Sequence, residues 1–155
     1  MARTSLFRRI LVPHDFSDQA TVALRTAARL AKEHRGKLTV LHVLVPFYLP
    51  ADVPFGMAAP GDLIPEHRQA LQRLVKKALG SGSPPVTVRV DVGEASHRIM
   101  EASRRADSIV MATSGRTGLS HFLIGSVAER VVRHATVPVL TLRAPVRKRR
   151  KARGK

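Results

Sequence analysis

Ser108-Ile-Val-Met-Ala112-Thr-Ser-Gly115-Arg-Thr-Gly118-Leu-Ser-His-Phe-Leu-Ile-Gly125-Ser126-Val-Ala-Glu129-Arg-Val-Val-Arg-His-Ala135-Thr-Val137-Pro-Val-Leu-Thr-Leu142 decides the fold. It opens on a short apolar run, passes through a glycine-containing loop, and continues with Ala128, Val131, Val132 and Ala135 at helical spacing. It closes on a second apolar run, 137–142. Two apolar strands joined by a loop and a helix form a parallel β-α-β unit, because a hairpin cannot join parallel strands.

The same unit repeats toward the amino terminus. Arg9-Ile-Leu-Val-Pro13 reads as a buried strand stopped by proline. Residues 17–34 follow with an apolar stripe at Ala20, Leu24, Ala27, Ala28 and Ala31, with Ser17 as N-cap and Gly36 as the C-terminal stop. Leu38–Val45 is a nearly continuous apolar run, as expected for a strand covered on both faces. Pro46 to Gly61 holds four prolines and the aromatics Phe47, Tyr48 and Phe55, and reads as a long loop suited to a lid or an interface. Residues 62–79 carry Leu71, Leu74, Val75 and Ala78 on one helical face. Val86–Val92 alternates valines with Thr87, Arg89 and Asp91, the pattern of an edge strand. Ala95, Ile99, Ala102 and Ala106 mark the remaining helix. Strict alternation of strand and helix predicts one open, doubly wound, five-stranded parallel α/β sheet of Rossmann-like kind, with helices on both faces.

Composition bounds the rest. The chain has 155 residues, enough for one domain with a sizeable core, and no cysteine, which removes disulfides and thiolate chemistry. The basic N-terminus lacks an apolar segment, so a secretory signal is not expected. No apolar run approaches the ~20 residues of a membrane span. A soluble, cytoplasmic protein without membrane partners is the expectation. Net charge is +16, but residues 143–155 hold eight of the 27 basic residues and no acidic one. A domain over 1–143 and a disordered basic tail over 144–155 are therefore expected. The tail reads equally as a solubilising end or as a nonspecific contact with nucleic acid or another polyanion. It carries no aromatic residue for base stacking.

In an open parallel sheet, ligands bind beyond the carboxyl ends of the strands where the strand order reverses. That points to Pro13–Ser17 and to Ala112–Ser126. The second segment ends in Gly125-Ser126 at a helix start, where unpaired N–H groups and the helix dipole suit a phosphate. A plainer reading stands beside it: Ser126-Val-Ala-Glu129 matches a capping box, and Gly115 and Gly118 suit ordinary turns. Asp15 either braces the helix start at Ser17 or accepts hydrogen bonds from a ribose. The seven histidines show no metal-ligand spacing, although His14 and His42 are placed to meet at adjacent strand ends. There is neither a nucleophile elbow nor a Gly-x-x-x-x-Gly-Lys loop, and no catalytic base is evident, so efficient ATP turnover is not expected.

Gly115, nine residues, then Gly125-Ser126, running on to Val137-Pro-Val-Leu140, resembles the universal stress protein family, as does Ile10-Leu-Val-Pro-His-Asp-Phe-Ser17 at the start. The likeness covers nearly all of residues 8–143. It implies ATP or ADP at the carboxyl edge of the sheet, with Mg2+ as an optional companion of the phosphates, and a homodimer, which the apolar last strand, 137–142, would make as an unprotected edge. By the resemblance, Asp15 contacts ribose or adenine, Val43 flanks the base, and Met111 and Ala112 line the same pocket, with Pro13 closing the first turn. Gly115, Gly125 and the Ser126 hydroxyl hold the phosphates. One position departs: the family's first motif glycine is Ala112 here. A nucleotide-binding stress or signalling protein is the leading reading. A slow ATPase on the same site, and a polyanion-binding adaptor acting through the tail, are the alternatives.

Overall fold

In the computed structural model, residues 5–46, 60–113 and 124–143 are described. β1 (Arg9–Pro13) is buried at every position after Arg9, so its two faces both need cover. The cover comes from the intervening helices. β2 (Lys37–Leu44), β3 (Val86–Val92), β4 (Ser108–Ala112) and β5 (Val139–Leu142) complete one sheet in the order β3-β2-β1-β4-β5, every pair parallel.

The pleat sends alternate residues to opposite faces. Ile10, Val12, Leu38, Val40 and Val110 pack with Ala23, Leu24, Ala27 and Ala31 of α1 (Asp18–Glu33) and with Leu71 and Val75 of α2 (Ile64–Leu79). Leu11, Leu41, Ile109 and Met111 pack on the other face with Ile99 and Ala102 of α3 (Ala95–Ser103) and Ala128 and Val131 of α4 (Ser126–His134). The chain moves outward from β1 to β3, crosses back to β4, and moves outward again. β1 is therefore followed by α1 on one face and β4 by α4 on the other, with a crevice between them at the carboxyl edge.

Five corrections to the sequence reading follow from packing. A 3-10 turn, Pro60–Leu63, precedes α2, which begins at Ile64 rather than Asp62. β2 spans Lys37–Leu44, and β5 pairs only from Val139. Val132 is 48% exposed and lies off the buried face of α4. Gly36 ends α1 differently from the expectation. The left-handed residue is Arg35 (φ 52), and the bonds Gly36 N–H to Ala31 carbonyl (2.7 Å) and Arg35 N–H to Lys32 carbonyl (3.3 Å) close a Schellman motif around it. Gly36 is needed for a close approach: a Cβ there would lie 2.2 Å from the Phe7 carbonyl oxygen. Phe47, Tyr48, Phe55 and the basic tail lie outside the described residues. Among the described residues, no helix is long and apolar enough to cross a membrane.

Candidate functional site

β1 runs into α1 through a tight turn whose backbone is held by side chains. Phe16 has φ 65, an uncommon value for a residue with a Cβ. Its N–H donates to His14 Nδ1 (3.0 Å), and the Ser17 N–H donates to Asp15 Oδ1 (3.1 Å). Ser17 then caps α1 as its spacing indicates, accepting from the Ala20 N–H at 3.1 Å. A backbone N–H can only donate, so His14 Nδ1 is the acceptor and Nε2 carries the proton toward Thr21 Oγ1 (3.3 Å). Thr21 Oγ1 in turn donates to the Ser17 carbonyl at 3.0 Å. Burial lowers the His14 pKa to about 4, only partly offset by Asp15, so the ring is neutral at pH 7. Both ring nitrogens hold this turn in place.

His14 and His42 do meet, but through a backbone oxygen: His42 Nδ1–H donates to the His14 carbonyl at 2.8 Å. The His42 ring stacks on His67 of α2 (5.3 Å, 2°) and meets Phe16 edge-on (4.7 Å). Among the described residues no group of three histidine, aspartate or glutamate side chains could hold a metal ion.

The start of α4 overturns the capping-box reading. Ser126 is the first helical residue, the capping position belongs to Gly125, and no side chain caps it. The Glu129 N–H makes an ordinary helical bond to the Gly125 carbonyl (2.9 Å), while its carboxylate turns to Arg133 (2.8 Å). Gly125 holds the helix start by donating to the Thr113 carbonyl at 2.6 Å, so its own N–H is spent. The next three amides, of Ser126, Val127 and Ala128, have no backbone acceptor among the described residues. The contrast within the fold is sharp. Ser17 caps α1, and the Glu94 carboxylate caps α3 by accepting from the Ser96 (3.1 Å) and His97 (2.8 Å) amides. All three of these starts border the crevice, and among them α4 keeps its donors; α2, which does not line it, also lacks a side-chain cap.

A cavity of about 270 Å3 fills that crevice. Seven sequence-nominated residues line it: Pro13 and Asp15 from the first turn, Val43 of β2, Met111 and Ala112 of β4, and Gly125 and Ser126 at α4. Gly115, the eighth, and Gly118 lie outside the described residues. Ala95 and Ile99 of α3, with His14, Val127 and Ala128, also line the cavity and were not nominated. The helical stripe marks Ile99 as core, and nothing in its spacing shows that the crossover from β3 brings the start of α3 beside the β1–β4 crevice.

The wall is apolar at Val43, Ile99 and Met111, and its polar groups include the Asp15 carboxylate and the start of α4, beside His14, His42 and Thr113. The Asp15 carboxylate can accept from hydroxyl groups, and the free amides of α4 can donate to an anion. Such a cavity suits a flat ring bearing a hydroxylated linker and a negatively charged end.

The family model that matches this chain, described as the Universal stress protein family, spans residues 6–143. A universal stress protein of Methanocaldococcus jannaschii is 34% identical over 146 residues, covering 91% of this chain and 85% of its own. The solved universal stress protein UspA from Lactobacillus plantarum matches with a TM-score of 0.70 at 25% identity, over 88% of this chain and 98% of that one. The universal stress protein from Archaeoglobus fulgidus, solved in complex with dAMP, matches with a TM-score of 0.61 at 24% identity, over 88% of this chain and 98% of that one. At that identity the likeness establishes a shared fold.

Proposed function

The chain belongs to the universal stress protein family, and on that premise we propose that it binds an adenine nucleotide, ATP or ADP, in the cavity between β1 and β4, and that it does so without efficient turnover. The observation that carries the reading is the uncapped start of α4, where the Ser126, Val127 and Ala128 amides border a cavity that Asp15 also lines. Those amides and the Ser126 hydroxyl are the donors for the phosphates, and by the family resemblance Gly115 joins them. Val43 and Met111 flank the base, Pro13 and Ala112 complete the pocket, and Asp15 takes the ribose hydroxyls. Mg2+ accompanies the phosphates where the nucleotide carries it. The dAMP held by the Archaeoglobus fulgidus protein supports an adenine nucleotide as the ligand class. His14, one of the titratable groups lining the cavity, has both ring nitrogens engaged and supplies no base for hydrolysis.

A cytoplasmic homodimer completes the reading. β5 is an edge of the sheet and exposes Leu140 at 38%. Pairing residues 137–142 with a second copy would cover that edge.

Calorimetry with ATP and ADP, with and without Mg2+, tests the nucleotide assignment, and a phosphate-release assay separates binding from turnover. Wild type should give a binding heat, and Ala112→Gly, which restores the family's glycine, should bind more tightly. No heat from either protein would remove the nucleotide from the cavity.

A further inference from the structure

The end of the sheet opposite the cavity is built from different chemistry. Arg9 opens β1 beside Lys37 of β2, and Arg8 accepts the Lys37 N–H on its carbonyl at 2.8 Å. Arg35 sits two residues before Lys37, in the left-handed conformation at the end of α1. On the other side of β1, Arg104 and Arg105 lead into β4, and the Asp107 N–H bonds to the Arg9 carbonyl at 2.7 Å. Neighbouring strands lie about 4.8 Å apart, so these six cations form a row across three adjacent strand starts. All six are exposed. Asp107 is the one acidic side chain paired within the row, and it is committed to Arg9 at 2.6 Å. Arg8, Arg35, Lys37, Arg104 and Arg105 make no ion pair among the described residues.

Helix dipoles explain part of such a pattern, since cations favour helix C-termini. They do not explain Arg8, Arg9 and Lys37, which lie on no helix, nor why a left-handed position is filled by Arg35. The C′ position of a Schellman motif ordinarily takes glycine, and an arginine with positive φ is strained there. Among the described residues, Phe16 and Arg35 are the two non-glycine residues with positive φ. One shapes the cavity and the other the β2 side of the basic row. Gly36 makes the row close-knit, because only a residue without Cβ lets this turn approach Phe7 and Arg8.

We infer that this amino edge of the sheet docks the phosphate backbone of a nucleic-acid duplex, a site on the folded domain separate from both the cavity and the basic tail. A row of charges on several loops matches a linear polyanion better than a single anion. Phe7 is packed against His34 (5.1 Å) and not presented for stacking, which favours a duplex over a single strand. Leu6, 48% exposed, is too little apolar surface to enter a membrane. Arg143, the last described residue, follows β5 at the carboxyl edge of the sheet, opposite this row.

The test uses the full chain and a short labelled DNA duplex, followed by anisotropy across a salt series. The double variant Arg35→Gly with Lys37→Gln should bind about tenfold more weakly at low salt, with the salt slope reduced by about two. Glycine suits the left-handed position, so this variant should melt no lower than wild type, and its weaker binding could not come from unfolding. Arg104→Gln with Arg105→Gln should show the same loss from the other side of the row. Arg149→Gln with Arg150→Gln in the tail should leave the contribution of the row intact. Wild-type affinity and slope in both edge variants would overturn the inference, as would binding to phosphatidylserine vesicles with none to the duplex.

Discussion

The Gly125 amide donates to the Thr113 carbonyl at 2.6 Å, joining the residue before α4 to the residue after β4. This bond fixes the helix start against the end of β4. It also removes Gly125 from the set of phosphate donors and passes that role to the three residues after it. Gly125 matters for its small size at this contact.

Gly125→Val should abolish nucleotide binding while the chain still folds. The backbone at Gly125 (φ −60, ψ 149) is open to any residue, so left-handed strain does not enter. An added Cβ would lie 3.3 Å from the Thr113 oxygen, a tight contact that must shift the helix start or β4 by a few tenths of an ångström. Circular dichroism should show a folded protein with a modestly lower melting temperature. Calorimetry should show no heat with ATP or ADP, and binding at wild-type strength would contradict the assignment.

Ser126→Ala separates binding from capping. Because Ser126 caps nothing, its replacement should change stability by less than about 0.5 kcal/mol. Ser17→Ala removes a true cap and should cost about 1 kcal/mol. Denaturant melts on the two variants measure the contrast. Nucleotide affinity should fall several-fold in Ser126→Ala, and a stability loss matching that of Ser17→Ala would restore the capping box.

Stability should fall as the pH drops from about 6.5 to about 4. The folded chain holds His14 neutral, with its pKa lowered by burial to about 4 from an ordinary 6.5. In that window the unfolded chain binds the extra proton, so acid favours unfolding. The stabilisation is complete above pH 6.5, and its full loss below pH 4 is about 3 kcal/mol. His14→Asn keeps an acceptor for the Phe16 N–H and cannot titrate. Urea melts from pH 7 to pH 4 should therefore show a shallower pH dependence in the variant, and equal slopes would move the effect to other groups.

Leu140→Lys should convert a dimer into a monomer. Leu140 is exposed on β5, and a lysine on an edge strand resists pairing with another copy. Light scattering across micromolar concentrations should give the mass of two chains for wild type and of one for the variant. A single-chain mass for wild type would remove the edge-pairing reading.

Local periodicity determined the elements and their type. The alanines and leucine at 20, 24, 27, 28 and 31 recur at helical spacing, and all five are buried. The bounds of β1, β3 and β4 follow from apolar runs that end at proline or at a change of polarity. Alternation of strand and helix also determined the crevice, since α1 after β1 and α4 after β4 lie on opposite faces. Seven nominated residues line one cavity because the ends of β1, β2 and β4 and the start of α4 meet at the carboxyl edge of the sheet.

What only the tertiary structure decided depends on contacts between distant residues. The spacing Ser126-x-x-Glu129 is a capping signature, yet the Thr113 carbonyl, reached only when β4 and α4 are in place, moves the cap to Gly125. Ile99 looks like any core residue until the crossover from β3 sets α3 beside the cavity. Gly36 reads as a helix stop, but its use comes from Phe7 and Arg8 lying against it. Arg8, Arg35 and Arg105 lie far apart in the chain, and parallel pairing of β1, β2 and β4 gathers them on one edge. Local propensity acts over a few residues, whereas these features arise where segments far apart in the chain compete for the same hydrogen bond or the same space.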